Sequence, residues 1–212
     1  MAQHAWRQQL SPGLVALGLT LTEDAQARLL AFIELLVKWN AAYNLTAVRD
    51  PAEMISRHLL DSLVVQPFVR GSRVADVGTG AGLPGIPLAI ALPDRHFVLL
   101  DSNGKKTRFV IQAIANLGLR NVEVVQARVE DYRPPQPFAT VVTRALAALR
   151  DFVELAGHLG APGSRFLAMK GDYPADELRA LPAGFQTLAV HPLRVPGLDA
   201  KRCVVEIQKS GV

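Results

Sequence analysis

The chain has 212 residues, half of them hydrophobic and 20% charged, with a formal net charge of +4 and a pI near 9.5. This suits one sizeable domain able to bury a full core, and the moderately basic balance permits a polyanionic partner without demanding one. A single cysteine excludes an internal disulfide and most cysteine-based zinc sites, the five histidines never fall at ligand spacing, and no apolar run reaches the roughly 18 residues of a membrane span.

The N-terminus also lacks a signal pattern. The expectation is a cytoplasmic monomer without metal or membrane.

Residues 1–70 contain no convincing strand. Thr20-Leu21-Thr22-Glu23 has the spacing of a capping box, and Ala25, Leu29, Phe32, Ile33, Leu36 and Val37 recur at helical intervals, predicting a long amphipathic helix to about residues 39–43. Asp50-Pro51 reads as an N-cap followed by proline at the first helical position, opening a helix through Met54, Ile55, His58, Leu59 and Leu63. A helical N-terminal cap, residues 1–70, thus precedes a sheet-containing domain, residues 71–212.

From Arg73 the pattern becomes α/β, with apolar strands separated by helical segments, which predicts a mostly parallel sheet covered on both faces. Strands are expected at 74–77, 96–101, 122–126, 140–143, 165–170, 185–190 and 203–208. Helices are expected at about 83–91, 105–117, 146–159 and 175–180. The helices then give out, and 185–190, 192–196 and 203–208 suggest an antiparallel finish. Seven strands ending this way suit the Rossmann-like sheet of S-adenosylmethionine (SAM) methyltransferases better than a two-fold dinucleotide domain.

The most informative stretch is residues 74–87, where Val74-Ala75-Asp76-Val77 runs into Gly78-Thr79-Gly80-Ala81-Gly82-Leu83-Pro84-Gly85-Ile86-Pro87. Alternating glycines let a backbone turn sharply beneath a ligand, and a helix N-terminus beyond them offers free N–H groups. Pro84 and Pro87 fit the first turn of that helix. Gly80-x-Gly82-x-x-Gly85 matches the dinucleotide fingerprint, which keeps a nicotinamide-dependent oxidoreductase open. Asp76-x-Gly78-x-Gly80-x-Gly82 matches the nucleotide loop of SAM methyltransferases. A carboxylate at Asp76 would repel a pyrophosphate yet could hold a methionine ammonium, directly or through water. Asp76, Gly78, Thr79, Gly80, Gly82 and Leu83 are therefore candidate cofactor contacts.

In an open parallel sheet ligands sit outside the carboxyl ends of the strands. Asp101, 23 residues beyond Gly78, could accept hydrogen bonds from both ribose hydroxyls, with Ser102 beside it, or it could merely cap the following helix. Val129 and Glu130 occupy the position that wraps an adenine, although Glu130 and Asp131 could equally be a solvated turn.

After the fourth strand, Thr143-Arg144-Ala145 stands where methyl and acceptor should meet. No Asn/Asp-Pro-Pro-aromatic turn for exocyclic amines lies here, and Cys203, the only thiol, begins an apolar strand and reads as core instead of a C5 nucleophile. Arg144 cannot act as a base but can clamp a phosphate, a carboxylate or a purine edge. Those absences favour an acceptor that needs no deprotonation, such as guanine N7, with positioning lowering the barrier.

Lys170 ends the fifth strand at the same rim, as a second candidate catalytic group or a plain surface lysine. Lys105, Lys106 and Arg108 cluster at a helix N-terminus, where cations are electrostatically disfavoured, and so are candidate RNA contacts. Arg57, His58 and Asp61 form either a polar cap over the pocket or a solvated helix face.

Together these residues resemble the bacterial glucose-inhibited division protein B family, small-subunit ribosomal RNA guanine-N7 methyltransferases. The resemblance runs from Trp39-Asn40 and Tyr43-Asn44-Leu45-Thr46 through Arg57-His58-Leu59-Leu60-Asp61-Ser62, the 76–87 loop, Arg128-Val129-Glu130 and Arg144-Ala145 to Lys170-Gly171. It implies SAM as donor and, as target, a guanine in the 530 loop of 16S rRNA, whose undermethylation gives low-level streptomycin resistance. The partner would be 16S rRNA or the small ribosomal subunit. It also implies cofactor contacts at Gly78, Leu83, Val129, Glu130 and Arg144, the last also a candidate for catalysis. A non-catalytic ribosome-assembly module is the remaining alternative.

Overall fold

The computed structural model describes residues 2–144 and 148–211. Helices α1 (Ala2–Ala16) and α2 (Glu23–Tyr43) come first, followed by a continuous helical stretch made of α3 (Pro51–Met54), a π-helical turn (Ile55–Leu60) and α4 (Asp61–Leu63). The sheet domain then runs β1 (Arg73–Val77), α5 (Gly85–Ala91), β2 (His96–Asp101), α6 (Gly104–Leu117), β3 (Val122–Gln126), β4 (Phe138–Thr143), α7 (Leu149–Ala156), β5 (Gly160–Lys170), α8 (Ala175–Arg179), β6 (Phe185–Leu193) and β7 (Arg202–Lys209).

The expected strands are all present, and the expected segment 192–196 is absorbed in part by β6. Strand order is β3-β2-β1-β4-β5-β7-β6. Strands β1 to β5 pair in parallel, and β7 runs antiparallel to both β5 and β6. This places the carboxyl ends of β1, β2, β4 and β5 along one edge, and the reversed β7 brings its first residues, Arg202 and Cys203, to the same edge beside Lys170.

Continuous apolar strands follow from burial on both faces, because alternate side chains feed two different cores. Val74, Phe97, Leu99, Val142, Leu167 and Val204 join the core beneath α1, α2, α5 and α6. Ala75, Val77, Val98, Val141, Phe166, Ala168 and Val205 face the core that includes Phe152 and Val153 of α7. The N-terminal helices share the first core, with Phe32 and Trp39 of α2 packed at a tilt against Phe109 of α6 at centroid distances of 6.1 and 5.7 Å.

Several local expectations shift. The cap of α2 is Thr22, whose Oγ1 accepts from the Ala25 amide at 3.2 Å, so the helix begins at Glu23 and the Thr20 capping box does not form. Asp50 caps α3 as expected, its Oδ1 accepting from the Ala52 amide at 2.9 Å. Pro84 is the N-cap of α5 and does not lie within its first turn, while Pro87 does. Helix α1 escaped sequence reading because Ser11-Pro12-Gly13 looks like a helix break. Gly13 in fact serves close packing, since a β-carbon there would collide with the Leu60 side chain. Residues 145–147, including Ala145 and the expected start of the 146–159 helix, lie outside the described residues.

Candidate active site

The glycine loop is held between two carboxylates. Asp76 is fully buried within β1, and its Oδ2 accepts from Thr79 Oγ1 at 2.6 Å and from the Gly85 amide at 2.8 Å. Asp101, at the end of β2, accepts from the Gly80 amide at 2.8 Å through Oδ2 and from the Asn103 amide at 2.8 Å through Oδ1. The Gly78 and Thr79 amides both donate to the Leu100 carbonyl. Gly78, Gly80 and Gly82 all have positive φ, between 60° and 79°, a conformation that only glycine adopts without strain.

Burial pushes the Asp76 carboxyl up to about 6, against hydrogen bonds from Thr79 and Gly85 and the charge of Arg144. Its Oδ1 is buried without a protein hydrogen-bond partner. The side chain thus braces the loop. Thr79 donates its hydroxyl to that brace and is 1% exposed, and Leu83 is 2% exposed, so neither side chain faces open solvent.

On one side of the loop lies a cavity of about 250 Å³ lined by Gly78, Asp101, Ser102, Val129, Glu130 and their neighbours. Sequence reading singled out all five. Burial leaves Asp101 9% exposed, and each of its oxygens already carries one backbone bond, with lone pairs left to accept more.

A second cavity, of about 360 Å³, is lined by Val48, Arg57, His58, Asp61, Arg144, Met169, Lys170, Gly171 and Arg202. Arg144 and Lys170 meet here as expected, from the ends of β4 and β5. Asp61 is 3% exposed and bridges two guanidinium groups, with Oδ2 3.5 Å from Arg144 Nη1 and Oδ1 2.8 Å from Arg202 Nε. Arg144 Nη1 also donates to the Arg57 carbonyl at 3.4 Å. Burial lowers the Arg144 pKa, opposed by the charges of Asp61 and Asp76, and the group stays cationic at neutral pH. Lys170 Nζ pairs with Glu177 of α8 at 2.8 Å, and the same Glu177 oxygen accepts from the Leu149 amide at 2.7 Å, capping α7.

The helical stretch 51–63 lines this cavity, with His58 and Asp61 buried in its wall and Arg57 exposed at its rim, where it pairs with Glu53 at 3.0 Å. The π-helical turn spends an extra residue between α3 and α4, a feature concentrated at functional sites. His58 Nδ1 lies 3.0 Å from the Arg57 carbonyl and so carries the ring proton, leaving Nε2 to accept from Thr46 Oγ1 at 3.0 Å. Burial, with the charge of Arg144, lowers His58 to about 4, so the ring is neutral.

Arg202 was missed by sequence reading, since a basic residue opening a strand carries no signal until β7 folds back against β5.

The basic cluster divides. Lys105 is exposed at the start of α6, and Arg108 donates from Nε to the Gly104 carbonyl at 3.0 Å. Lys106 leans over the glycine loop, where a β-carbon at Gly80 would lie 4.0 Å from its Nζ. The helix start that carries these cations is capped by Asn103, whose Oδ1 accepts from the Lys105 and Lys106 amides. Cys203 is buried, as expected, and its thiol donates to the Asp172 carbonyl at 3.6 Å. Among the described residues no group of three or more metal-ligating side chains converges, and no helix is long and apolar enough to cross a membrane.

The strand order, the reversed β7 and a braced glycine loop opening on a cavity define a Rossmann-like methyltransferase. A SAM-dependent methyltransferase from Aquifex aeolicus shares the fold with a TM-score of 0.58 at 19% identity, over 78% of this chain and 97% of its own. One from Thiobacillus denitrificans, solved with S-adenosyl-L-homocysteine, gives 0.54 at 11% identity, over 70% and 90%. More narrowly, the chain belongs to the GidB family, rRNA small subunit methyltransferase G, whose family model matches residues 25–205. The ribosomal RNA small subunit methyltransferase G of Ectopseudomonas mendocina is 56% identical, covering 96% of both chains. That of Marinobacter nauticus is 52% identical, covering 99% of this chain and 98% of its own.

Proposed function

We propose that this methyltransferase modifies N7 of a guanine in the 530 loop of 16S rRNA by direct in-line transfer from SAM, without a covalent enzyme intermediate. The observation that carries this reading is the chemistry of the cavity around Arg144. Among the described residues it holds cations, one neutral histidine and a single carboxylate, Asp61, already engaged by two guanidinium groups. Such a set offers no available base for an exocyclic amine. Burial raises the Cys203 thiol, which works against thiolate chemistry. Guanine N7 suits this pocket because its lone pair needs no deprotonation.

SAM, when bound, supplies a methyl group on a cationic sulfur. The residues present fit it. Asp101 and Ser102 would take the ribose, Val129 and Glu130 the adenine, and the open backbone of Gly78, Gly80 and Gly82 the approach of the methionine portion, with Thr79 and Leu83 shaping the loop. The unpartnered Oδ1 of Asp76 leaves a buried negative pole beneath that loop. Arg144 and Lys170 would hold the base's carbonyl oxygen or an adjoining phosphate, and with the methyl acceptor fixed, orientation supplies the rate. Residues 1–70 act as a cap over the domain 71–212, and Lys105, Lys106 and Arg108 extend a cationic surface toward RNA.

Mapping N7-methylguanine in 16S rRNA from cells lacking the gene, with and without complementation, tests the reading. One methylated guanine should vanish and return. An unchanged map would leave a ribosome-binding role without this transfer.

A further inference from the structure

The established chemistry needs a donor and an acceptor, but it does not require that a carboxylate from the N-terminal helices be buried among the cations of the acceptor cavity. Asp61 is such a carboxylate, 3% exposed at the junction of the π-helical turn and α4. It reaches Arg202, the first residue of β7, at 2.8 Å and Arg144, just beyond β4, at 3.5 Å. Among the described residues no other acid lines the cavity. Three separately folded elements are therefore tied at one side chain.

We propose that Asp61 is the positioning residue of the acceptor pocket, aiming the Arg144 and Arg202 guanidinium groups at the RNA through one shared carboxylate. This rests on the reading that the cavity receives the acceptor.

One carboxylate cannot occupy every donor of two guanidinium groups, so N–H groups remain for an anionic or carbonyl oxygen of the substrate. The guanidinium fork has donors to spare, and Asp61 occupies only Nε of Arg202 and Nη1 of Arg144. Fixing those two donors determines where the others point. Long side chains that would otherwise sample many rotamers are thereby ordered before RNA arrives, which removes an entropic cost from binding and from the transition state.

The test uses the full-length protein, small ribosomal subunits from cells lacking the gene, and labelled SAM. Asp61→Asn keeps the side chain's size and removes its charge. It should lower kcat/KM by at least about tenfold, mostly through kcat, because small misplacements in a preorganised site are expensive. Asp61→Glu should recover part of the loss. In an Arg144→Ala background the same change should cost far less, since coupled residues are non-additive.

An Asp61→Asn enzyme with wild-type kcat/KM would overturn the proposal, as would an equal loss in both backgrounds, the mark of general structural support. Arginine Nε–H signals, assigned with Arg144→Ala and Arg202→Ala, read the positioning without catalysis. Asp61→Asn should shift and broaden both, and unchanged signals would sink the proposal. A wild-type protein that methylates no small subunit overturns the functional reading instead, and the two failures are thereby distinguished.

Discussion

The Gly85 amide donates to the buried Asp76 Oδ2 at 2.8 Å, fastening the start of α5 to β1 across the glycine loop. A β-carbon at Gly85 would collide with Leu99 Cδ2 and lie 2.7 Å from that same Oδ2. Gly85→Ala should therefore destabilise the protein by about 1–3 kcal/mol, the usual cost of overpacking a dense interior, and should weaken SAM binding. Thermal melts and calorimetric titration with SAM check both. Unchanged affinity would show that the brace does not set the loop's binding shape.

Arg144 is mostly buried, its side chain 27% exposed, and its partner Asp61 keeps a second guanidinium, Arg202, when Arg144 is removed. Arg144→Ala should then cost only about 1 kcal/mol of stability, while methyl transfer falls on the order of a hundredfold or more. Parallel measurement of melting temperature and single-turnover rate decides it. Losses of equal free energy would make Arg144 structural.

Two buried groups should give opposite pH dependences. Asp76 is raised from 3.8 to about 6, so its contribution favours the fold below 3.8 and is lost as pH rises through 6. His58 is lowered from 6.5 to about 4, so its contribution is present above 6.5 and is lost as pH falls through 4. Each amounts to about 3 kcal/mol at full swing, and they nearly cancel between pH 6.5 and 4.

Relative to wild type, Asp76→Asn should lose stability as pH drops through this window, and His58→Gln should gain it. Denaturant titrations at a series of pH values measure the difference. Parallel profiles for all three proteins would show that neither group is shifted.

Lys105 and Lys106 should separate. Lys105→Ala should reduce the log-log salt slope of RNA binding by roughly one unit and leave SAM affinity intact, as expected for one lost phosphate contact. Lys106 leans over Gly80, so Lys106→Ala should also change SAM affinity. Filter binding across a salt series and SAM titration distinguish them. An unaltered slope for Lys105→Ala would return it to the solvated surface.

Much of this arrangement is legible from local sequence. Residues 74–87 announce strand, turn and helix because glycine spacing and apolar runs are local signals, and Asp101, Ser102, Val129 and Glu130 follow from the rule that ligands lie beyond parallel strand ends. All four do line one cavity with Gly78. The locality of those signals is also where they stop. Asp76 lies fully buried beneath the loop, a fact set by how α5 packs back on β1. Helix α1 hides behind its own proline and glycine, and only Leu60, distant in sequence, explains why Gly13 belongs there.

The sequence by itself determined the donor side of this protein: a glycine loop with positive-φ positions, flanked by acids, ahead of a helix, all within one short stretch of chain whose conformation depends on its own residues. The acceptor side was decided only by the tertiary structure. Asp61, Arg144 and Arg202 stand 83 and 58 residues apart in succession, and nothing in their spacing pairs them. They meet because the π-helical turn, the end of β4 and the start of the reversed β7 converge at one edge of the sheet, where two guanidinium groups share the buried Asp61 carboxylate.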